Sequence, residues 1–357
     1  MIVLAEDGAA KSAIKSYLSK RQTALLDKLH SCSVTTVFGP GSREDEVYVG
    51  AVPSDSNAGV AVDAGLQRLG FSVERVDPSS VSALEQLAGS KLVFVNAHGD
   101  LGECGRFQGF LDMRGIPYTG SGLLASSVCL DKSVFRRLAS TFQIAIAPGG
   151  VVGNVKQVNA IASEYGFPLI AKPLRGGSSV DLRILQSRDE CDALEELLLR
   201  RGAHELLLEQ YIPGRDFTVG LIEWCGSVVM LPPLEVISDA GFYSEQNKMY
   251  DHWTGAVRYV AHTEGDSKWL TKMCGCLERL WNSLHLRGAV RLDFRVDAAG
   301  TPWLLEANTN PGLSCGGNLA VAIRACEMSF EELLVWILSS AAYDDPGSGL
   351  AVRFLAE

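Results

Sequence analysis

The sequence predicts an α/β unit built on a parallel sheet, followed by two lobes of the α+β class. Three patterns carry this expectation. From 47 to 96, short apolar strands alternate with helical stretches, the order that covers both faces of a parallel sheet. From 167 to 224, strands follow one another with a single helix among them, and from 289 to 308 two alternating strands flank a short DAAG turn, as in a hairpin. The 357 residues suffice for two or three domains at ~100 to 200 residues each. The expected division is 1–46, a helical extension and linker; 47–130, the α/β domain; 131–230, a central lobe; and 231–357, a C-terminal lobe with a lid loop.

Each element has its own signal. Ile14, Leu18, Leu25 and Leu29 lie on one stripe of a helix over 8–30, expected to pack as an appendage, and FGPGSREDE at 38–46 reads as a linker. Strands are expected at 47–52, 71–76 and 91–96, with helices at 59–70 and about 79–88 between them. Asp131 to Arg137 opens a further helix. The central lobe is expected to hold strands at 167–174, 180–185, 205–212 and 217–224 with an acidic helix over 188–202. The last region holds a polar loop at 238–255, a helix at 267–285, strands at 289–296 and 302–308, and a final helix at 329–338.

Composition excludes several classes. The 32 Lys and Arg against 42 Asp and Glu give a net charge of −10, which disfavours a nucleic-acid partner but not a single bound nucleotide. Nine cysteines without zinc-type spacing point to buried free thiols in a reducing compartment. The first residues meet acids and lysines too early for a secretory signal, and Leu138 to Val155 contains APGGVVGN, which no membrane helix would carry. A cytoplasmic protein with neither nucleic-acid nor membrane partner is expected.

The hairpin at 289–308 concentrates chemistry. Arg291, Asp293 and Arg295 share one face by the period of two, as do Glu306 and Asn308. Two carboxylates and an amide oxygen form an oxygen-only set suited to Mg2+ with substrate phosphates completing the octahedron, and Arg291 is placed to meet an oxyanion beside it. The plain alternative is a solvated surface hairpin; the apolar residues around the acids weigh against it, because a buried acid needs a partner. Lys172 ends an apolar strand before the run Gly176 to Ser179, equipment for a phosphate flap or an ordinary loop, and not a P-loop. Glu209, Gln210, Tyr211 and Ile212, then Asp216, form either a plain strand and turn or an edge that reads adenine with its backbone and ribose with a carboxylate. His98 follows a buried strand in HGDLGECG, where α/β sheets bind ligands. Lys132 starts a helix, and Lys248 sits in a polar loop suited to a lid.

Taken in order, HGxxGExGxxQGxL at 98–111, GIPYTGSG at 115–122, Asp131–Lys132, KPxxxGSSV at 172–180, the strand with Glu209, RxDF at 291–294 and LEANTNPG at 305–312 resemble the D-alanine:D-alanine ligases of the ATP-grasp superfamily. The resemblance runs from 47 to about 340. It implies a three-domain ATP-grasp fold, an N-terminal parallel α/β sheet with central and C-terminal lobes enclosing ATP, and a homodimer. It implies that Lys132 and Lys172 hold phosphates, that Ser178 belongs to the flap, and that Glu209, Gln210 and Ile212 hold adenine. Asp216 would take the ribose. Asp293, Glu306 and Asn308 would bind two Mg2+, Lys248 the transferred phosphate, Arg291 the tetrahedral oxyanion and His98 the substrate. The implied reaction phosphorylates a carboxylate and lets an amine displace the phosphate.

Some substrate-facing positions differ from the family pattern. The turn after the expected first strand, PSDSN, carries no glutamate; Lys248 is followed by Met249, with Tyr250 one place late; Gly317, beside Asn318, stands where a serine meets the second substrate; and Cys104 replaces an acid. The sequence therefore points to a carboxylate–amine ligase that joins an amino acid to a small-molecule carboxylate or another amino acid in a specialised metabolite pathway, for example of the mycosporine type. A divergent D-alanine:D-alanine ligase of peptidoglycan synthesis and a non-catalytic ATP-binding sensor are the alternatives.

Overall fold

The computed structural model describes residues 2–4, 8–29, 32–38, 58–175, 182–191, 194, 205–238, 257–262, 268–345, 347–348 and 350–355. Strand β1 (Ile2–Leu4), helix α1 (Gly8–Lys28) and strand β2 (Ser33–Val37) come first. The stripe on α1 is real: Ile14, Leu18, Leu25 and Leu29 are all buried, each side chain contributing ~1.5–3 kcal/mol by leaving water. They join one core with Val62 and Leu66 of α2 (Ala58–Arg68) and with Leu334 and Trp336 from the C-terminal region. The helix is thus an integral layer and not an appendage.

β2 is the middle strand of a three-stranded parallel sheet, between β3 (Ser72–Val76) and β4 (Val93–Val95), the last two linked through α3 (Ala83–Ala88). The sheet therefore starts ahead of residue 47. The strand expected at 47–52 lies outside the described residues, as does the linker beyond Phe38. In a doubly wound sheet the ligand crevice opens at the carboxyl ends of the strands where the order reverses, here between β2 and β4. Of the described residues, the segment 96–105 after β4 flanks it.

Helices α4 (Gly99–Gly102), α5 (Arg106–Arg114), α6 (Leu123–Leu130) and α7 (Lys132–Thr141) lead to the central lobe. Asp131 caps α7, its carboxylate accepting from the backbone N–H of Ser133 and Val134 at 3.1 Å each. The central lobe has β5 (Gly149–Val152), α8 (Val155–Tyr165), β6 (Leu169–Pro173), β7 (Arg183–Leu185) and β8 (Leu206–Gln210), in a four-stranded antiparallel sheet of order β5-β8-β6-β7. Val158 and Ala162 of α8 pack on Val152, Leu169 and Leu208. Of the helix expected over 188–202, the described residues include a 3-10 turn at Arg188–Glu190 and little else.

The C-terminal lobe comprises β9 (Arg215–Trp224), β10 (Ser227–Met230), β11 (Leu234–Ser238), β12 (Val257–Ala261), α9 (Lys268–Leu284), β13 (Ala289–Val296) and β14 (Pro302–Asn308). Then follow α10 (Asn318–Ala325), α11 (Phe330–Ser339) and the hairpin β15 (Ala342–Asp345) and β16 (Leu350–Arg353). β9 is the hub of its sheet, pairing with β10, β11 and β13, and β1 adds in parallel to β10. Alternation sorts the two faces. Phe217, Val219 and Leu221 of β9 and Val290, Leu292 and Phe294 of β13 pack on Leu270, Leu277 and Trp281 of α9, which leaves Asp216, Thr218, Arg291, Asp293 and Arg295 on the other side.

α11 ties the lobes together. Its run LLVWIL is buried between α1, α2 and the C-terminal sheet, and the Trp336 indole donates to the Glu223 carbonyl at 2.7 Å. A capping box of Ser329 and Glu332 starts it. None of the nine cysteines is in a disulfide; Cys129, Cys191 and Cys326 are buried as expected, whereas Cys32, Cys104, Cys274 and Cys276 are partly buried and Cys225 and Cys315 are exposed. Among the described residues no helix is long and apolar enough to cross a membrane.

Candidate active site

The charged face of the C-terminal sheet is built by register. Asp293 of β13 stands opposite Glu306 of β14, and Arg291 opposite Asn308. Regular alternation would put Leu304, Glu306 and Asn308 on one face. The register shifts between Asp293 and Phe294, where Leu305 is the extra residue, so Leu304 stays in the apolar core while Glu306 turns to the charged face. The DAAG turn is fixed by Asp297, whose carboxylate accepts from the Trp303 indole N–H at 2.9 Å, from Thr301 N–H at 2.8 Å and from Ala299 N–H at 3.0 Å. These donors, the indole first, hold its carboxyl below the ordinary carboxylate range.

Each acid on this face has a cation. Arg291 forks onto Asp293, Nε to Oδ1 at 3.0 Å and Nη2 to Oδ2 at 3.1 Å. Lys132, in the first turn of α7, lies 3.5 Å from Glu306 Oε2. Like charges opposite each other in a strand pair repel, and these two carboxylates are stable together because each is neutralised. Among the described residues no group of three or more His, Cys, Asp and Glu is clustered for a metal ion. The expected set depends on two carboxylates and an amide, and its oxygen-only chemistry fits Mg2+.

One turn along α7 from Lys132, Arg136 lies 3.1 Å from Glu209 Oε1, while Lys172 lies 2.5 Å from Glu209 Oε2. Lys172 and Glu209, assigned by resemblance to phosphate and to adenine, are therefore one buried ion pair completed by Arg136. The hinge strand is anchored by Gln210 N–H to the Pro148 carbonyl and Tyr211 N–H to the Pro168 carbonyl. Gly149, opposite Glu209 with φ +147, allows this approach, since a Cβ there would stand 2.2 Å from the Leu208 carbonyl oxygen. Asp216 and Ile212 both bond to Arg295, which had no assigned role: Nη1 lies 2.8 Å from both Asp216 oxygens and Nε donates to the Ile212 carbonyl at 2.8 Å.

The third cluster joins the parallel sheet to the hairpin. His98 stands at the N-cap position of α4 without a side-chain capping bond, and its ring packs beside Gly312, where a Cβ would be 3.5 Å from Nε2. Asn310 donates its side-chain amide to the Ala97 carbonyl and its backbone N–H to Asn308 Oδ1 at 2.8 Å. The turn after His98 is tight because Gly102 abuts Ala97, leaving 1.7 Å to its carbonyl oxygen for a Cβ. The Glu103 carboxylate accepts from Gly99 N–H at 2.8 Å. Gly317 caps α10 and Asn318 is its first residue, both half-buried. Ser178 and Lys248, with Met249 and Tyr250, lie outside the described residues. Arg136 has no role in the sequence expectations, its one signal being the spacing of four from Lys132; Arg295 and Asn310 appear there on the charged face and in LEANTNPG, without a role.

Solved structures share this architecture. The D-alanine–D-alanine ligase of Bacillus anthracis complexed with ATP superposes with a TM-score of 0.69 at 22% identity, over 86% of this chain and 96% of that one. The VanG D-Ala:D-Ser ligase of Enterococcus faecalis gives 0.70 at 20% identity, over 86% and 98%. The fold is that of the ATP-grasp enzymes. Residues 141–339 match the family described as D-ala D-ala ligase C-terminus, and the D-alanine–D-alanine ligase of Bordetella pertussis is 32% identical over 310 residues, 87% of this chain and 95% of that one. That of Gloeobacter violaceus is 32% identical over 85% and 98%. The chain belongs to the D-alanine–D-alanine ligase family, and it is an ATP-dependent ligase that forms carbon–nitrogen bonds.

Proposed function

We propose that this chain joins D-alanine to a second small amino acid, D-alanine itself in the first instance. The observation that carries the reading is 32% identity to a D-alanine–D-alanine ligase along nearly the whole of that relative. Topology adds to it. With β2 at Ser33–Val37, the segment that follows the first strand of the parallel sheet in sequence is FGPGSREDE and not PSDSN, and it contains Glu44, Asp45 and Glu46. An acid for the ammonium of the first substrate is therefore available in sequence, with Glu44 the candidate. The missing glutamate was one of the departures, with Met249, Gly317 and Cys104, that pointed to a substrate from specialised metabolism, and the peptidoglycan-type reaction is the better supported reading.

In this reading the substrate carboxylate attacks the γ-phosphate of ATP, giving an acyl phosphate and ADP; the amine of the second amino acid then attacks the carbonyl carbon, and inorganic phosphate leaves. Bound Mg2+, held by Asp293, Glu306 and Asn308, would neutralise phosphate charge. Lys132 brings a cation to the same face. Arg291 faces the oxyanion that forms when the amine adds, a role for which its fork onto Asp293 keeps it oriented. His98, seated against Gly312, orients the amino acid between the parallel sheet and the hairpin. Lys172 and Glu209 order the adenine end.

The test is turnover of purified protein with ATP, Mg2+ and amino acids of both hands, D-serine included, read as ADP and as product mass. D-alanyl-D-alanine with stoichiometric ADP supports the reading. A product only from other pairs redirects the substrate assignment, and nucleotide binding without any ligation favours the sensor alternative.

A further inference from the structure

We infer that Arg295 is a positioning residue that sets the nucleotide end of the cleft and fastens it to the strand carrying Asp293. Its guanidinium uses every arm on three residues of one segment. Nε donates to the Ile212 carbonyl at 2.8 Å, Nη1 is 2.8 Å from both oxygens of Asp216, and Nη2 donates to the Tyr211 hydroxyl at 2.6 Å. The same group lies over the Tyr211 ring, 5.0 Å from its centroid. Arg295 and Asp216 are direct cross-strand partners in β13 and β9, and their side chains are 9% and 13% exposed. In so dry a setting a multidentate arginine fixes geometry that a lysine cannot reproduce.

This inference rests on the ligase reading, in which the 209–216 segment receives adenine and ribose. A carboxylate has about four lone-pair sites and a backbone carbonyl two. Arg295 occupies two on Asp216 and one on Ile212. On Ile212 one carbonyl lone pair remains, suited to an exocyclic amine, and the two bonds to Asp216 fix the orientation of its carboxylate. Arg295 thus aims both groups. Guanine presents a carbonyl where adenine presents that amine, so the Ile212 carbonyl, held in place by Nε, discriminates between them. Because Arg295 lies two residues from Asp293 on one strand, it ties the nucleoside end to the acid pair.

The test is calorimetric titration of the full chain with the Mg2+ complexes of AMP-PNP and GMP-PNP, for wild type and for Arg295→Met, Arg295→Lys and Tyr211→Phe. The expected result is that Arg295→Met weakens AMP-PNP about tenfold or more and collapses the adenine-over-guanine preference, with Arg295→Lys between it and wild type and Tyr211→Phe losing about threefold. Unchanged AMP-PNP affinity in Arg295→Met overturns the inference. So does an equal loss for both nucleotides, since that marks general damage and leaves the preference intact. Should the methionine variant fail to fold, the lysine variant carries the same comparison with the same two overturning results. Failure of the wild type to bind either nucleotide is a different outcome: it removes the ligase reading, and this inference falls with it.

Discussion

Asp293 and Glu306 face each other across the last hairpin of the C-terminal sheet, each neutralised by a cation from a different element: Arg291 of the same strand for the first, Lys132 of helix α7 for the second. Each carboxylate needs a cation beside it, a place that the proposed Mg2+ would share with Arg291 and Lys132. Glu306→Gln keeps the shape and removes one charge. Ligase turnover should fall by about a hundredfold or more at ordinary Mg2+, while the melting temperature stays near that of wild type. Full activity in this variant would take Glu306 out of the metal site.

Helix α7 spans two lobes through one pair of side chains. Lys132 reaches the C-terminal acid and Arg136, one turn on, reaches Glu209 of the central lobe and the Ala147 carbonyl. Arg136 and Glu209 are 8% and 4% exposed. Breaking a buried pair from one side leaves a charge without its full complement, so Arg136→Met should lower unfolding stability by about 3 kcal/mol, read by denaturant titration. A loss below about 1 kcal/mol would mean that Lys172 alone satisfies Glu209.

Much of the catalytic face was legible because strands write their faces with a period of two: Arg291, Asp293 and Arg295, and Glu306 with Asn308, fall together as expected. The strands at 289–296 and 302–308 match to the residue. What failed was the start of the parallel sheet. SVTTV at 33–37 is short and half polar, and it becomes the central strand only through pairing with β3 and β4, a non-local fact. With β2 at Ser33–Val37, the segment after the first strand of the sheet is FGPGSREDE and not the expected PSDSN. The face of Arg295 was legible but its partners were not, since nothing local says that one guanidinium will gather residues 79 to 84 positions away.

Asp297 gives a pH signature. The Trp303 indole and backbone donors hold its folded carboxyl below the ordinary value near 3.9. The unfolded state then binds more protons over the window between the two values, so stability rises with pH there. The contribution is complete above the ordinary value and disappears as pH falls through the depressed one. Melting curves of wild type and Asp297→Asn should therefore differ by a constant amount above pH 5 and converge below about pH 4. A difference that persists unchanged at low pH would show that the carboxylate charge is not what the turn uses.

Thr218 stands opposite Asp293 on the neighbouring strand, 3% exposed, and its hydroxyl has no hydrogen-bond partner among the described residues. A buried hydroxyl that has given up water without replacement costs about 1–3 kcal/mol. Valine has nearly the same shape and no such debt. Thr218→Val should therefore stabilise the fold by about 1 kcal/mol in denaturant titration, against the usual direction for a core substitution. The sign decides the matter: if the valine variant is less stable than wild type, the hydroxyl is bonded in solution and the strand face is wetter than its packing indicates.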